Sequence, residues 1–194
     1  MTTILGISGS LRAGSYNTKL LNASARMLGG EAGATLDVAT LHGIPLYDGD
    51  LETSEGSPPA VRELKARILA SNGLLLATPE YNNGIPGVFK NAVDWLSRPA
   101  SDIPMVFGNR PVAVIGATPG GSGTVLAQIA WLPVLRTLGT RPWFGGRLQV
   151  SRAQHVFNEA GEMVDEATRN QLREFLRGFI GFVQAGAGAE ASGA

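Results

Sequence analysis

The 194-residue chain contains no cysteine, which excludes disulfides, thiolate metal sites and cysteine nucleophiles. Histidine is almost as scarce. His42 and His155 lie far apart and without ligand-type neighbours, so both are read as surface or loop residues and no metal centre is expected. Charge is sparse: Asp, Glu, Lys and Arg make up 16% of the chain and the formal net charge is zero. With no basic stripe, nucleic acid is not an expected partner. No apolar run approaches the roughly 18 residues of a membrane-spanning helix. No basic leader precedes an apolar run, because the chain enters its first strand at once. The expectation is therefore a soluble, cytoplasmic protein. What is plentiful is hydrophobic residue, 44%, which suits a compact globular chain rather than a disordered one.

Periodicity predicts strands alternating with helices. Thr3–Ile7 reads as strand one, followed by a helix over Thr18–Leu28 that Gly29-Gly30 stops. Thr35–Val38 is a short second strand. A long aperiodic loop runs from His42 to Pro58-Pro59, a length that in a compact domain is often functional. A helix follows to about Ala70, its apolar side made by Val61, Leu64, Ile68 and Leu69. The continuous apolar run Gly73–Thr78 fits a central parallel strand covered on both faces, and Val88–Leu96 is helical after it. Pro111–Ala117 is strand four and Thr124–Leu138 a helix interrupted or kinked at Pro133. Trp143–Val150 is an irregular fifth strand. Asp165 caps a last helix, Glu166–Gln184, and the Gly/Ala/Ser-rich tail after it, residues 186–194, is expected to be disordered. This alternation implies one α/β domain over residues 1–185, an open doubly wound five-stranded parallel sheet with helices on both faces. Its loops after strands one, three and four share the carboxyl edge near a switch point.

The first of those loops, Gly6-Ile-Ser-Gly9-Ser10-Leu11-Arg12-Ala-Gly14-Ser15-Tyr16-Asn17, is the most informative stretch. A strand running into small hydroxylated residues and then a helix N-terminus offers unpaired N–H groups and a partial positive charge to an anion. Ser10, Ser15 and Asn17 add side-chain donors, and Arg12 a guanidinium suited to phosphate oxygens. The nucleoside-triphosphate frame G-x-x-x-x-G-K-[ST] is absent, and so is the dinucleotide frame G-x-G-x-x-G. A terminal phosphomonoester fits better. The alternative is an ordinary glycine-rich turn with Ser or Asn as helix caps.

The second loop, Thr78-Pro79-Glu80-Tyr81-Asn82-Asn83-Gly84-Ile-Pro86-Gly87, combines a rigid backbone with a flat aromatic face at Tyr81, and Asn82 is able to bond heteroatoms. The third, Thr118-Pro119-Gly120-Gly121, lets backbone approach a ligand where no Cβ intervenes. A phosphate loop, an aromatic loop and a glycine loop together make a slot that suits flavin mononucleotide (FMN). Packing or a subunit contact is the alternative for Tyr81 and Trp95, and for Trp95 that alternative is preferred.

These motifs resemble the NADPH-dependent FMN reductase family, the flavodoxin-like group of quinone, chromate and azo-dye reductases. Gly9-Ser-Leu-Arg12-x-x-Ser15-x-Asn17 is similar to its phosphate loop, and Thr78-Pro-Glu-Tyr-Asn82 with Gly84-x-Pro86-Gly-x-x-Lys90-Asn-Ala-x-Asp94-Trp95 to its flavin-ring loop and following helix. Ile44-Pro-Leu-Tyr47-Asp48 and Phe157-Asn-Glu-x-Gly161 match too, whereas Pro133 and Arg141-Pro-Trp-Phe144 carry weaker signals. The resemblance covers roughly residues 3–184. It implies an FMN-dependent oxidoreductase that takes hydride from NAD(P)H and passes electrons to a small-molecule acceptor: a quinone, flavin, azo dye or chromate. It implies cofactor contacts from Ser10, Arg12, Ser15, Tyr16, Asn17, Pro79, Glu80, Tyr81, Asn82, Thr118, Pro119, Gly120 and Gly121, and no catalytic side chain. Glu80 is read as structural within its loop, and N–H groups of Thr118–Gly121 as stabilising charge on the reduced ring. A homodimer is expected, with a tetramer as the larger alternative, and helix Val88–Leu96 near the interface with Trp95 adding apolar area. The competing functional readings are a flavodoxin-type electron carrier, which this chain of zero net charge fits poorly, and a non-catalytic flavin-binding module.

Overall fold

The computed structural model describes residues 1–29 and 33–192. In chain order the elements are β1 (Thr2–Ser8), α1 (Tyr16–Gly29), β2 (Ala34–Ala39), α2 (Gly49–Glu55), α3 (Pro59–Leu69), β3 (Gly73–Ala77), α4 (Gly87–Leu96), a 3₁₀ turn (Ala100–Asp102), α5 (Ile103–Val106), β4 (Pro111–Ala117), α6 (Val125–Thr137), β5 (Arg141–Pro142), β6 (Gln149–Val150), α7 (Ala153–Val156) and α8 (Glu166–Ser192). The strands run parallel in the order β2-β1-β3-β4-β5, and β6 also pairs with β4. That is the flavodoxin-like doubly wound order, with its switch point between β1 and β3.

The apolar runs become the middle of this sheet because strand side chains alternate between faces. Ile4, Leu75, Ala113 and Ile115 pack with α1 and α8 on one face. Leu5, Ile7, Leu74, Leu76 and Val112 pack with α3, α4 and α6 on the other. Gly6 sets how closely α1 approaches, since a Cβ there would lie 2.9 Å from Leu21 Cδ2.

Several elements differ from the sequence expectation. Ser15 caps α1 through the Thr18 N–H at 3.3 Å, so the helix begins at Tyr16; Gly30, read as part of its stop, lies outside the described residues. The long loop contains α2, capped by Asp48, whose Oδ1 accepts from Asp50 N at 2.8 Å. α6 is not interrupted at Pro133, which lies inside one helix. The fifth strand is two short pieces. Between them the chain leaves β4 and Trp143 packs edge-on against Phe175 of α8, with Gly145 so close that a Cβ would meet the indole at 2.6 Å. The last helix does not end at Gln184 but continues to Ser192, through most of the expected disordered tail; residues 193 and 194 lie outside the described residues. Alanine, the strongest helix former, alternates with glycine there and offsets it. No described helix is long and apolar enough to cross a membrane.

Candidate functional site

At the carboxyl ends of β1, β3 and β4 lies a cleft of about 190 Å³ lined by Ser10, Arg12, Ser15, Tyr16, Asn17, Pro79, Glu80, Tyr81, Ala117, Thr118 and Pro119. The fold thus gathers three separate loops. Of the residues singled out from the sequence, only Asn82, Gly120 and Gly121 stand outside this lining.

The first loop starts in register with the sheet, Gly9 N donating to Ala77 O at 2.9 Å. It is tightened by Arg12 N on Ser10 Oγ at 3.3 Å and Ser15 N on Arg12 O at 3.1 Å. Gly9 is required, because a Cβ would lie 2.2 Å from Phe89 Cδ1 and 2.9 Å from the Pro79 ring. Arg12 is exposed, and its guanidinium makes no hydrogen bond or ion pair with the described residues. His42 holds the tip of this loop from outside, Nε2 lying 3.1 Å from Leu11 O and Nδ1 3.1 Å from Thr40 Oγ1. A carbonyl only accepts, so Nε2 carries the proton of that bond. The sequence placed His42 in a loop but contained no signal for its partner. Tyr16 stacks on Phe157 with centroids 6.2 Å apart, and Lys19 Nζ sits 5.5 Å from the Tyr16 ring while donating to Asn158 O, so the Phe157–Gly161 segment backs the start of α1.

Asn17 is not free to donate as the sequence reading supposed. It is buried, with Nδ2 donating to Ala117 O at 2.9 Å and Oδ1 accepting from Ala117 N at 3.0 Å. Glu80 is likewise engaged: Oε2 accepts from Ala127 N at 3.0 Å and Oε1 from Ser122 Oγ at 3.3 Å. It serves as the N-terminal cap that α6 lacks, since Thr124 at that position has φ +66° and no capping side-chain bond.

Tyr81 is 48% exposed beside the cleft. Asn82 and Asn83 both have left-handed backbone, φ 50° and 60°, and make a two-residue turn closed by paired Tyr81–Gly84 backbone bonds at 3.1 and 3.2 Å. Asparagine tolerates that conformation well, so Asn82 acts here as a turn former at the rim. The third loop donates less than expected. Thr118 N–H goes to Val150 O at 2.9 Å and Gly120 N–H to Thr118 Oγ1 at 3.3 Å, which among the described residues leaves only Gly121 N–H of that stretch without a protein acceptor. Gly120 and Gly121 lie on the exposed side of the loop.

Trp95 is fully buried. Its Nε1 donates to Pro45 O at 3.0 Å and Tyr47 packs edge-on against it at 4.9 Å, so it cannot supply surface to a partner subunit. Tyr47 OH donates to Glu52 Oε2 at 2.8 Å, and Arg98 Nε donates to the same oxygen at 2.9 Å. These bonds, Arg98's first and then Tyr47's, hold the Glu52 carboxyl below the ordinary range; the bond to Glu52 raises the Tyr47 hydroxyl. No metal-binding cluster of His, Cys, Asp or Glu occurs among the described residues.

Known proteins share this architecture. Residues 2–155 match the family model for NADPH-dependent FMN reductases. An NAD(P)H-dependent FMN reductase of Pseudomonas aeruginosa is 38% identical over 174 residues, covering 90% of this chain and 91% of its own. The quinone reductase of Escherichia coli K12 is 35% identical over 93% of this chain and 95% of its own. The solved structure of FerB, a flavoenzyme NAD(P)H:(acceptor) oxidoreductase from Paracoccus denitrificans, aligns with a TM-score of 0.83 at 32% identity, covering 95% of this chain and 98% of that one. With the motifs of its first two loops and a fold in which three loops converge on one cleft, the chain belongs to the NADPH-dependent FMN reductase family.

Proposed function

We propose that the protein is an NAD(P)H oxidoreductase that binds one FMN per chain in the cleft and reduces a small acceptor such as a quinone, free flavin, azo dye or chromate. The observation that carries this reading is the pairing, in one cleft, of a helix N-terminus with a guanidinium that has no partner among the described residues. Arg12 and the first N–H groups of α1 face the space that Ser10 and Ser15 also line. That donor set matches a dianionic phosphate, and Tyr81 provides a half-exposed aromatic face for a planar head. Bound FMN would supply the hydride-accepting and electron-donating chemistry. The chain's residues bind and orient. Ser10, Arg12, Ser15 and the start of α1 hold the phosphate, Pro79 and Tyr81 border the ring, and Gly121 N–H is the remaining donor of the third loop for charge on the ring. Glu80, with both oxygens already accepting protein bonds, carries no proton-transfer role.

We propose further that the chain is one cytoplasmic domain that works as a homodimer. What supports the dimer is Ile129 and Leu132 of α6 with Phe144, which expose apolar surface around a groove beside β4 and β5. Sedimentation equilibrium at micromolar concentration checks it; a 20.3 kDa monomer would remove the dimer. For the activity, NADPH and NADH oxidation is followed with excess quinone, alongside titration with FMN and riboflavin. Equal affinity for the two flavins would remove the phosphate assignment. Flavin binding without nucleotide oxidation would leave an electron carrier.

A further inference from the structure

We infer that Asn17 is a positioning residue whose side-chain amide takes the place of β3 as the ladder partner of β4, allowing the two strands to separate and form the cleft. The inference rests on the FMN reading for its ligand but not for its geometry. In a parallel ladder, alternate residues present both N–H and C=O to the same neighbour. On β4, Gly116 and Thr118 face β6: Gly116 N donates to Leu148 O and Thr118 N to Val150 O. Ile115 and Ala117 therefore face β3. Ile115 is served, its carbonyl accepting from Thr78 N at 2.8 Å. Ala117 is not, because β3 has ended at Ala77 and the chain turns away through Thr78 and Pro79 before the next donor on that side. Ala117 is buried, so an unpaired N–H and C=O there would be costly. A primary amide carries the same donor–acceptor pair as a peptide unit, and Asn17 uses both halves on Ala117. One end of this tie is the first turn of α1, beside Ser15 and Tyr16. The other is the strand end that leads into Thr118 and Pro119. Both groups line the cleft, so the tie sets the distance between its phosphate side and its glycine-loop side.

Asn17→Ala and Arg12→Ala then fail differently. Loss of the tie loosens the cleft as a whole, so Asn17→Ala should weaken FMN and riboflavin by a similar factor, about tenfold or more, and keep their ratio. Loss of a phosphate donor, in Arg12→Ala, should weaken FMN alone. Amide hydrogen exchange of the apoprotein gives a readout free of ligand. In Asn17→Ala the Ala117 N–H should exchange at least about tenfold faster while Ile115 N–H is unchanged. The wild-type protein tests the same point if the variant does not fold. The Asn17 side-chain amide protons should be slow to exchange and keep their chemical shifts when FMN is added. A selective loss of FMN over riboflavin in Asn17→Ala, or a large shift of the Asn17 amide on FMN binding, would make Asn17 a phosphate ligand and overturn the inference. Fast exchange of the wild-type Ala117 N–H would overturn it as well. A wild-type protein that does not prefer FMN to riboflavin would instead defeat the functional reading and leave the exchange result standing.

Discussion

Replacing Glu80 separates two effects that its carboxylate combines. Its Oε2 accepts the N–H of Ala127, the third residue of α6, and Ala127 is fully buried. Loss of an N-cap bond of this kind costs about 1 kcal/mol. A negative charge at a helix N-terminus adds roughly 0.3–1 kcal/mol, and Glu80 is partly exposed, which favours the lower end. Glu80→Ala loses both contributions, about 1.3–2 kcal/mol. Glu80→Gln keeps an amide oxygen for Ala127 N–H and loses only the charge. In a chain of this length, 1 kcal/mol corresponds to roughly 2–4 °C in melting temperature. Thermal unfolding of the apoproteins by circular dichroism should therefore place Glu80→Ala roughly 3–8 °C below wild type, with Glu80→Gln between them. Raising the salt concentration should bring Glu80→Gln towards wild type, because it screens the charge effect, and leave the gap between the two variants unchanged. Equal losses in both variants would mean that charge alone matters and the hydrogen bond contributes nothing. An unaltered Glu80→Ala would refute the capping role entirely.

Arg12→Ala should raise the FMN dissociation constant about ten- to hundredfold, the worth of one charge-assisted phosphate bond, with riboflavin affinity unchanged by calorimetry. Gly9→Ala forces a Cβ into Phe89, itself edge-on to Trp131 at 4.8 Å, and should lower stability by about 1–3 kcal/mol in urea titration; an unmoved midpoint would show that the loop can shift freely. Glu52 is held below its unfolded pKa, so its contribution to stability is present above that value and lost as pH falls through the folded one; Tyr47, raised, contributes below its unfolded pKa and loses it as pH rises. Glu52→Gln should accordingly lose less of its melting temperature than wild type does when pH drops from neutral to about 3. Initial rates at several fixed acceptor concentrations should give parallel double-reciprocal lines if, as proposed, nicotinamide and acceptor use the same cleft in turn. In the same assay Tyr81→Ala should change turnover or the KM for NAD(P)H more than it changes FMN affinity.

Leu74–Ala77 and Val112–Ile115 were legible as central strands because a strand buried on both faces has no polar positions to interrupt it. The phosphate-type loop was legible because a strand, small hydroxylated residues and a helix start are neighbours in sequence. So was the cap at Asp165, whose Oδ1 accepts from Thr168 N at 2.7 Å, a bond spanning one turn. The residues misjudged are those whose partners lie elsewhere. Asn17 has the composition of a phosphate donor, but its amide is consumed by Ala117, one hundred positions away, because β3 ends one rung before β4 does. Glu80 reads as structural within its own loop, but its carboxylate caps a helix 47 positions on. Trp95, expected to add apolar area to an interface, is instead buried in the core beneath the Pro45–Tyr47 segment. Local sequence determined the order of elements and the chemistry of each loop through backbone preference and the spacing of apolar residues. Only the tertiary structure decided which polar side chains remain free for a ligand, because the partner of a buried donor or acceptor depends on where unrelated strands end.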